Sequence, residues 1–191
     1  MAQQKTAAEP PQPLSADQPV HDPVRWCRAM LAADYPRNPY WTQRLTLFCL
    51  RAGRAWHRQP GLKAFLIRRV LQVLKFVWVE GFIGSEIPNQ VWIGPGVRIP
   101  HALRGVMIHP SVTIGANVTL YHQTVLGVRD TREGPTLGDD IVVGAGAKIL
   151  GPITVASGTS IGANAVLVSD TEPNTTWVGI PARPVTSRRD R

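Results

Sequence analysis

Residues 142–168, VVGAGAKILGPITVASGTSIGANAVLV, place an aliphatic residue at every sixth position: Val143, Ile149, Val155, Ile161 and Leu167. A period of six fits neither the 3.6-residue turn of a helix nor the two-residue alternation of a strand, so it marks a repeat. Towards the N-terminus Leu137 keeps the same phase. Across an eleven-residue step the series resumes as Leu126, Leu120, Ile114 and Ile108, and across a nine-residue step as Ile99, Ile93 and Ile87. Each hexad supplies a short strand and a turn, with the aliphatic residue pointing inward. Gly or Asn in the turn accepts backbone angles that a Cβ opposes. Three hexads close one triangular coil, and coils stack through parallel hydrogen bonds because no single coil buries enough apolar surface to stand alone. The expected fold is mainly β, a parallel β-helix of hexapeptide repeats. Its two irregular steps predict a bulge at HALRG (101–105) and a loop leaving the coil between Gly127 and Thr136.

The chain before the repeat reads differently. Residues 1–22 are polar and rich in Pro, Gln and Ala, the composition of a disordered tail with no signal peptide. Residues 23–85 form an expected helical domain, residues 86–185 the β-helix domain, and residues 186–191 a basic tail. Asp22 or Asp17 can cap a first helix that has Pro23 at its start. YPRNPY (35–40) is a break, and helical runs follow over 41–58 and 61–82. In the last run Phe65, Leu66, Val70, Leu71, Leu74 and Val77 recur at helical spacing. Lys63, Arg68, Arg69, Lys75 and Glu80 interrupt that run, which argues against a membrane-spanning helix. Packing against neighbouring subunits is the favoured expectation for it, with peripheral membrane contact as the second.

Of 191 residues, 21 are Lys or Arg and 13 are Asp or Glu, a net charge of +8. Twelve of those cations against six anions lie at or before Glu86. No nucleic-acid motif accompanies the excess, so nucleic acid is not expected as a partner, and an anionic surface or a phosphate-bearing ligand suits the charge better. Cys27 and Cys49 are too few for a disulfide framework and suit buried thiols in a reducing cytoplasm. No ligand cluster suggests a metal.

VVGAGAKILGPITV (142–155) and VGIPARPV (178–185) resemble the coil and C-terminal signatures of the serine acetyltransferases, and FIGSEIPNQVWIGPGVRI (82–99) looks closer to the serine acetyltransferase-like enzymes of exopolysaccharide clusters. The resemblance spans about three quarters of the chain. It implies a left-handed coil, an acetyl-CoA-dependent O-acetyltransferase acting on L-serine or a sugar, and a homotrimer or dimer of trimers with sites between subunits. It also implies a catalytic pair. The family's catalytic histidine follows an acidic residue by fifteen positions, as His101 follows Glu86. In a coil of eighteen residues that interval returns the chain nearly to the same corner. Histidine suits a general base because its pKa lies near working pH, and Glu86 would orient the ring.

His122 is the rival base or an acceptor-binding residue, with Arg129 and Arg132 of the long loop as further acceptor contacts. Gly127 is a candidate backbone donor to the oxyanion. Ala145 and Ala163 would let pantetheine approach the coil, and Lys148 and Arg183 would meet the nucleotide phosphates. Two departures stand out. Pro100 replaces the acidic residue that the family carries just before its histidine, and Glu133 and Gly134 replace an Arg-His pair before Pro135. Two other readings are a non-catalytic hexapeptide-repeat scaffold and a zinc-dependent, carbonic-anhydrase-like β-helix built on His101, His109 and His122.

Overall fold

The computed structural model describes residues 18–130 and 132–185. Asp17, most of the N-terminal tail and the basic tail from 186 onward lie outside the described residues. Helix α1 (Pro23–Asp34) starts as its sequence dictates: Asp22 accepts the Arg25 amide at 3.0 Å and Pro23 occupies the first turn. A 3₁₀ turn, Tyr35–Arg37, makes the expected break. Helix α2 covers Trp41–Ala55, and α3 covers Leu62–Lys75. The last expected run does not stay α-helical: Phe76–Phe82 continues α3 as a π-helix.

The coil follows as β1 (Trp92–Ile93), β2 (Met107–Ile108), β3 (Thr113–Ile114), β4 (Thr119–Leu120), β5 (Val125–Gly127), β6 (Thr136–Leu137), β7 (Val142–Val143), β8 (Lys148–Leu150), β9 (Thr154–Val155), β10 (Ser160–Ile161), β11 (Val166–Leu167), β12 (Thr176–Gly179) and β13 (Ala182–Pro184). These strands form three sheets, the faces of a prism. Face A has the order β2-β5-β8-β11, face B β1-β3-β6-β9, and face C β4-β7-β10-β12-β13. All pairings are parallel except β12 with β13. Isolated bridges from Glu86 to Met107 and from Arg98 to Thr119 extend faces A and C by one rung each.

Register stacks like on like. Ile108, Leu126, Ile149 and Leu167 superpose on face A, Ile93, Ile114, Leu137 and Val155 on face B, and Leu120, Val143, Ile161 and Trp177 on face C. Every one of the thirteen aliphatic positions is buried, and Ile93 is the most exposed of them at 7%. Turns between hexads take left-handed backbone at Asn117 (φ 58°), Gly146 (φ 72°) and Asn164 (φ 57°), where a residue without Cβ or with a short amide is least strained.

The helices are fastened to the first coil by buried polar groups. Asp34, fully buried, pairs with Arg51 through Nε at 2.8 Å and Nη2 at 3.1 Å. Its Oδ1 also accepts the amides of Gly96 and Val97, while Arg51 donates to the carbonyls of Ile93 and Gly94. Asn38 donates to the Val97 carbonyl and accepts the Ile99 amide, both at 2.8 Å. Cys27 and Cys49 are free thiols, both buried.

Candidate active site

One corner of the prism, where the chain passes from face C to face A, collects most of the chemistry. In successive coils it holds His101, then Tyr121 and His122, then Ala145, then Ala163. Hydrogen bonds tie these turns into one column: the Gln123 amide to the Arg104 carbonyl, the Gly146 amide to His122, and the Asn164 amide to Ala145. Below them Val178 packs where a Cβ on Gly162 would fall, and Arg183 pairs with Val178. Rungs are about 4.8 Å apart, so the edge from His101 to Arg183 spans about 19 Å. Lys148 projects from face A beside this edge, exposed, with its Nζ 3.3 Å from the Gly146 carbonyl. The two phosphate-binding candidates therefore flank one edge from different faces.

The expected bulge carries His101. Its backbone turns through left-handed φ at Ala102 (54°) and Leu103 (63°), residues that pay about 1–2 kcal/mol each for that geometry. Surrounding contacts hold it there. Gln43 of α2 donates to the Pro100 carbonyl at 2.9 Å, while its Oε1 accepts the Tyr40 amide at 3.0 Å. Buried Ser85 donates to the Leu103 carbonyl and accepts the Val106 amide at 3.1 Å. Ala102 and Leu103 are themselves buried, so the histidine stands exposed on a rigid platform.

The His101 ring meets His122 edge-on, with centroids 4.7 Å apart, and lies 6.3 Å from the Tyr121 ring. Nδ1 of His122 is buried with no hydrogen-bond partner. Glu86 stands on the first rung of face A, close to the same corner, and is exposed. No hydrogen bond or ion pair joins it to His101 among the described residues. The two residues share a corner without a direct bond between their side chains. The reason is the bulge: Ile87 and Ile108, one coil apart, are separated by 21 positions rather than 18, and the ring rests on His122 instead.

The other expected site residues divide. Gly127 is the last residue of β5, paired with Leu150, so the loop begins only at 128. Arg129 pairs with its neighbour Asp130 at 3.0 Å, and both are exposed. Arg129 and Arg132 leave the coil at the corner from face A to face B, across face A from the histidines. Tyr121, Gln43 and Ser85 belong to the site's surroundings and escaped the sequence reading. The repeat phase could have found Tyr121. Gln43 reaches Pro100 across 57 positions, and no local pattern signals that. A groove of about 750 Å³, lined by His57, Arg68, Lys75, Glu80 and Asn89 among others, lies beside α3 and does not include His101. The histidine edge is open in the single chain. The described residues contain no group of three or more His, Cys, Asp or Glu placed to hold a metal.

No protein-family model matches the chain. Individual proteins do. The serine acetyltransferase of Helicobacter pylori (strain ATCC 700392 / 26695) is 40% identical over 146 residues, covering 75% of this chain and 81% of that protein. The serine acetyltransferase of Mycobacterium tuberculosis is 42% identical over 103 residues, 52% of this chain and 44% of that one. Among solved structures, Neisseria gonorrhoeae serine acetyltransferase superposes with a TM-score of 0.68 at 27% identity, covering 85% of this chain and 67% of that chain. Soybean serine acetyltransferase complexed with serine gives 0.69 at 29% identity, covering 86% and 70%. The prism is the left-handed β-helix of these enzymes. From its match to four fifths of a relative at 40% identity, the chain belongs to the serine acetyltransferase family and is an O-acetyltransferase.

Proposed function

We propose that the chain transfers the acetyl group of acetyl-CoA to an acceptor hydroxyl, first among them that of L-serine, with His101 as general base. The observation that carries this reading is the corner column: an exposed histidine on a clamped bulge stands above a run of small residues that ends at a cation. Pantetheine lies along Ala145 and Ala163, with Lys148 and Arg183 at its phosphates. His101 takes the proton as the acceptor oxygen attacks the thioester carbonyl, and returns it to the leaving thiolate. His122 holds the acceptor. Glu86, on the adjacent rung, balances the imidazolium charge through space.

A homotrimer is part of the same reading. Arg129 and Arg132 leave at a different corner from the histidines, which suits a loop from a neighbouring copy as the cover of the open histidine edge. A sugar hydroxyl is the second acceptor reading, favoured by Pro100, Glu133 and Gly134 where family members keep charged or basic groups around serine. Family membership supports a cytoplasmic location.

Release of free CoA thiol from acetyl-CoA, measured across a panel of L-serine and sugar acceptors, tests the reading. Serine-dependent release should fall by about 10²–10⁴ in His101→Ala, with the melting temperature unchanged. Release that survives His101→Ala but disappears in His122→Ala moves the base to His122. No acceptor-dependent release at all leaves the scaffold reading.

A further inference from the structure

Helix α3 and the π-helical turn after it are apolar on two opposite sides. The inner side is anchored. Ala64 is buried, Leu71 packs against the cluster around Trp26 and Trp92, and Arg68 donates to the Gln59 carbonyl. Lys75 is buried with its Nζ donating to the Ile87 carbonyl, and burial lowers its pKa. These contacts fix the rotation of the helix about its axis. The outer side is left bare. Leu62, Leu66, Val70 and Val73, at i, i+4, i+8 and i+11, are 75%, 57%, 68% and 63% exposed. Phe76 and Phe82 extend the exposure at 65% and 69%, and Phe82 stacks on Trp78, which in turn meets exposed Trp41.

Charge says what can cover this side. Lys63 and Arg69 are exposed on α3, and no carboxylate occurs between Leu62 and Val79. At 100° per residue Arg69 falls within the apolar stripe and Lys63 on its border. A twofold contact of α3 and its turn with a second copy would bring together four of these cations and only two carboxylates, the exposed Glu80 of each copy. An anionic partner suits them. An apolar stripe bordered by cations, with aromatic residues at one end, is the make-up of a helix lying in the plane of a membrane interface. No described helix is long and apolar enough to cross a membrane.

We infer that the outer side of α3 and its π-helical turn docks on a membrane surface carrying anionic lipid headgroups. The aliphatic stripe enters the boundary between headgroups and acyl chains, and Lys63 and Arg69 stay at phosphate level. This surface is independent of the acetyl-transfer reading.

Co-sedimentation of the full chain with vesicles tests it, comparing phosphatidylcholine alone with phosphatidylcholine mixed with phosphatidylglycerol. The chain should sediment with the mixed vesicles and be released as salt rises. The double variant Lys63→Gln/Arg69→Gln should bind roughly thirtyfold more weakly, from the loss of two surface cations. Leu66→Glu/Val70→Glu should abolish binding, with circular dichroism and melting unchanged because both positions are exposed. Three results overturn the inference. They are no sedimentation of the wild type at low salt, equal binding by the variants, and light scattering in which Leu66→Glu/Val70→Glu splits a larger assembly. The last would make the stripe a contact between copies.

Discussion

The helical cap and the coil are held together in opposite ways. In the coil, each rung repeats the one above it: an aliphatic side chain in the core, a parallel pairing outside, a small turn at the corner. Stability there is a sum of similar neighbour terms. The cap has no repeating element. Besides the apolar packing of Leu47 and Leu50, its hold on the first coil rests on a few buried polar groups: Asp34, Asn38 and Arg51 each bond two backbone groups between Ile93 and Ile99, and Gln43 bonds one, at Pro100. A repeat tolerates damage by degrees, whereas a unique buried polar contact is either complete or costly. The bulge with His101 lies where the two regimes meet, on the coil but clamped from the cap.

Asp34→Ala is the strongest challenge to that contrast. It leaves the buried Arg51 guanidinium without its carboxylate and should cost about 3–5 kcal/mol, read from urea unfolding. Ile149→Val, one methylene lost from the middle of the coil, should cost only about 0.5–1.5 kcal/mol. Equal costs would erase the distinction drawn between the two regions.

Gln43→Leu tests the join. Removing its two neutral hydrogen bonds, to the Pro100 carbonyl and from the Tyr40 amide, should cost about 1–3 kcal/mol of stability. Turnover should fall several-fold beyond that while the KM for acetyl-CoA stays fixed, because Gln43 acts on the Pro100 carbonyl and not on the small-residue edge. A matching rise in KM would place its effect elsewhere.

A further test separates the cap from the coil by pH. Burial pushes the Cys49 thiol up from 9.0 to about 11. Between those values the unfolded chain ionises first, so the folded state holds the extra proton. Stability is therefore full below pH 9 and declines as pH rises towards 11. Denaturation midpoints at pH 8 and pH 10.5 should differ less in Cys49→Ala than in the wild type. An identical slope would show that the thiol is not ionising in that window.

Much of the coil was legible because its information is local and repeated. The six-residue phase named thirteen buried positions without a miss, and it located both interruptions. Trp177 was not named, because ten positions separate it from Leu167 and the repeat is no longer in step there. Within the site, His101, His122, Ala145 and Ala163 share a column that the phase implied. The Glu86 and His101 pairing came from the family resemblance and the fifteen-residue interval, and the bulge that follows His101 decides how close the two side chains come. Arg129 and Arg132 were read as acceptor contacts because they sit on the long inserted loop, and one side of the prism separates them from the histidines of the same chain.

The sequence by itself determined the coil and the corner that carries the histidines, since a period of six leaves one way to bury aliphatic residues and pair backbones; the chemistry came from its resemblance to the serine acetyltransferases. Tertiary structure alone decided what grips the bulge, where the His101 ring rests and which side of α3 is left bare. Those outcomes depend on contacts between residues tens of positions apart, such as Asp34 with Gly96 or Gln43 with Pro100, and no local pattern encodes a partner at that distance.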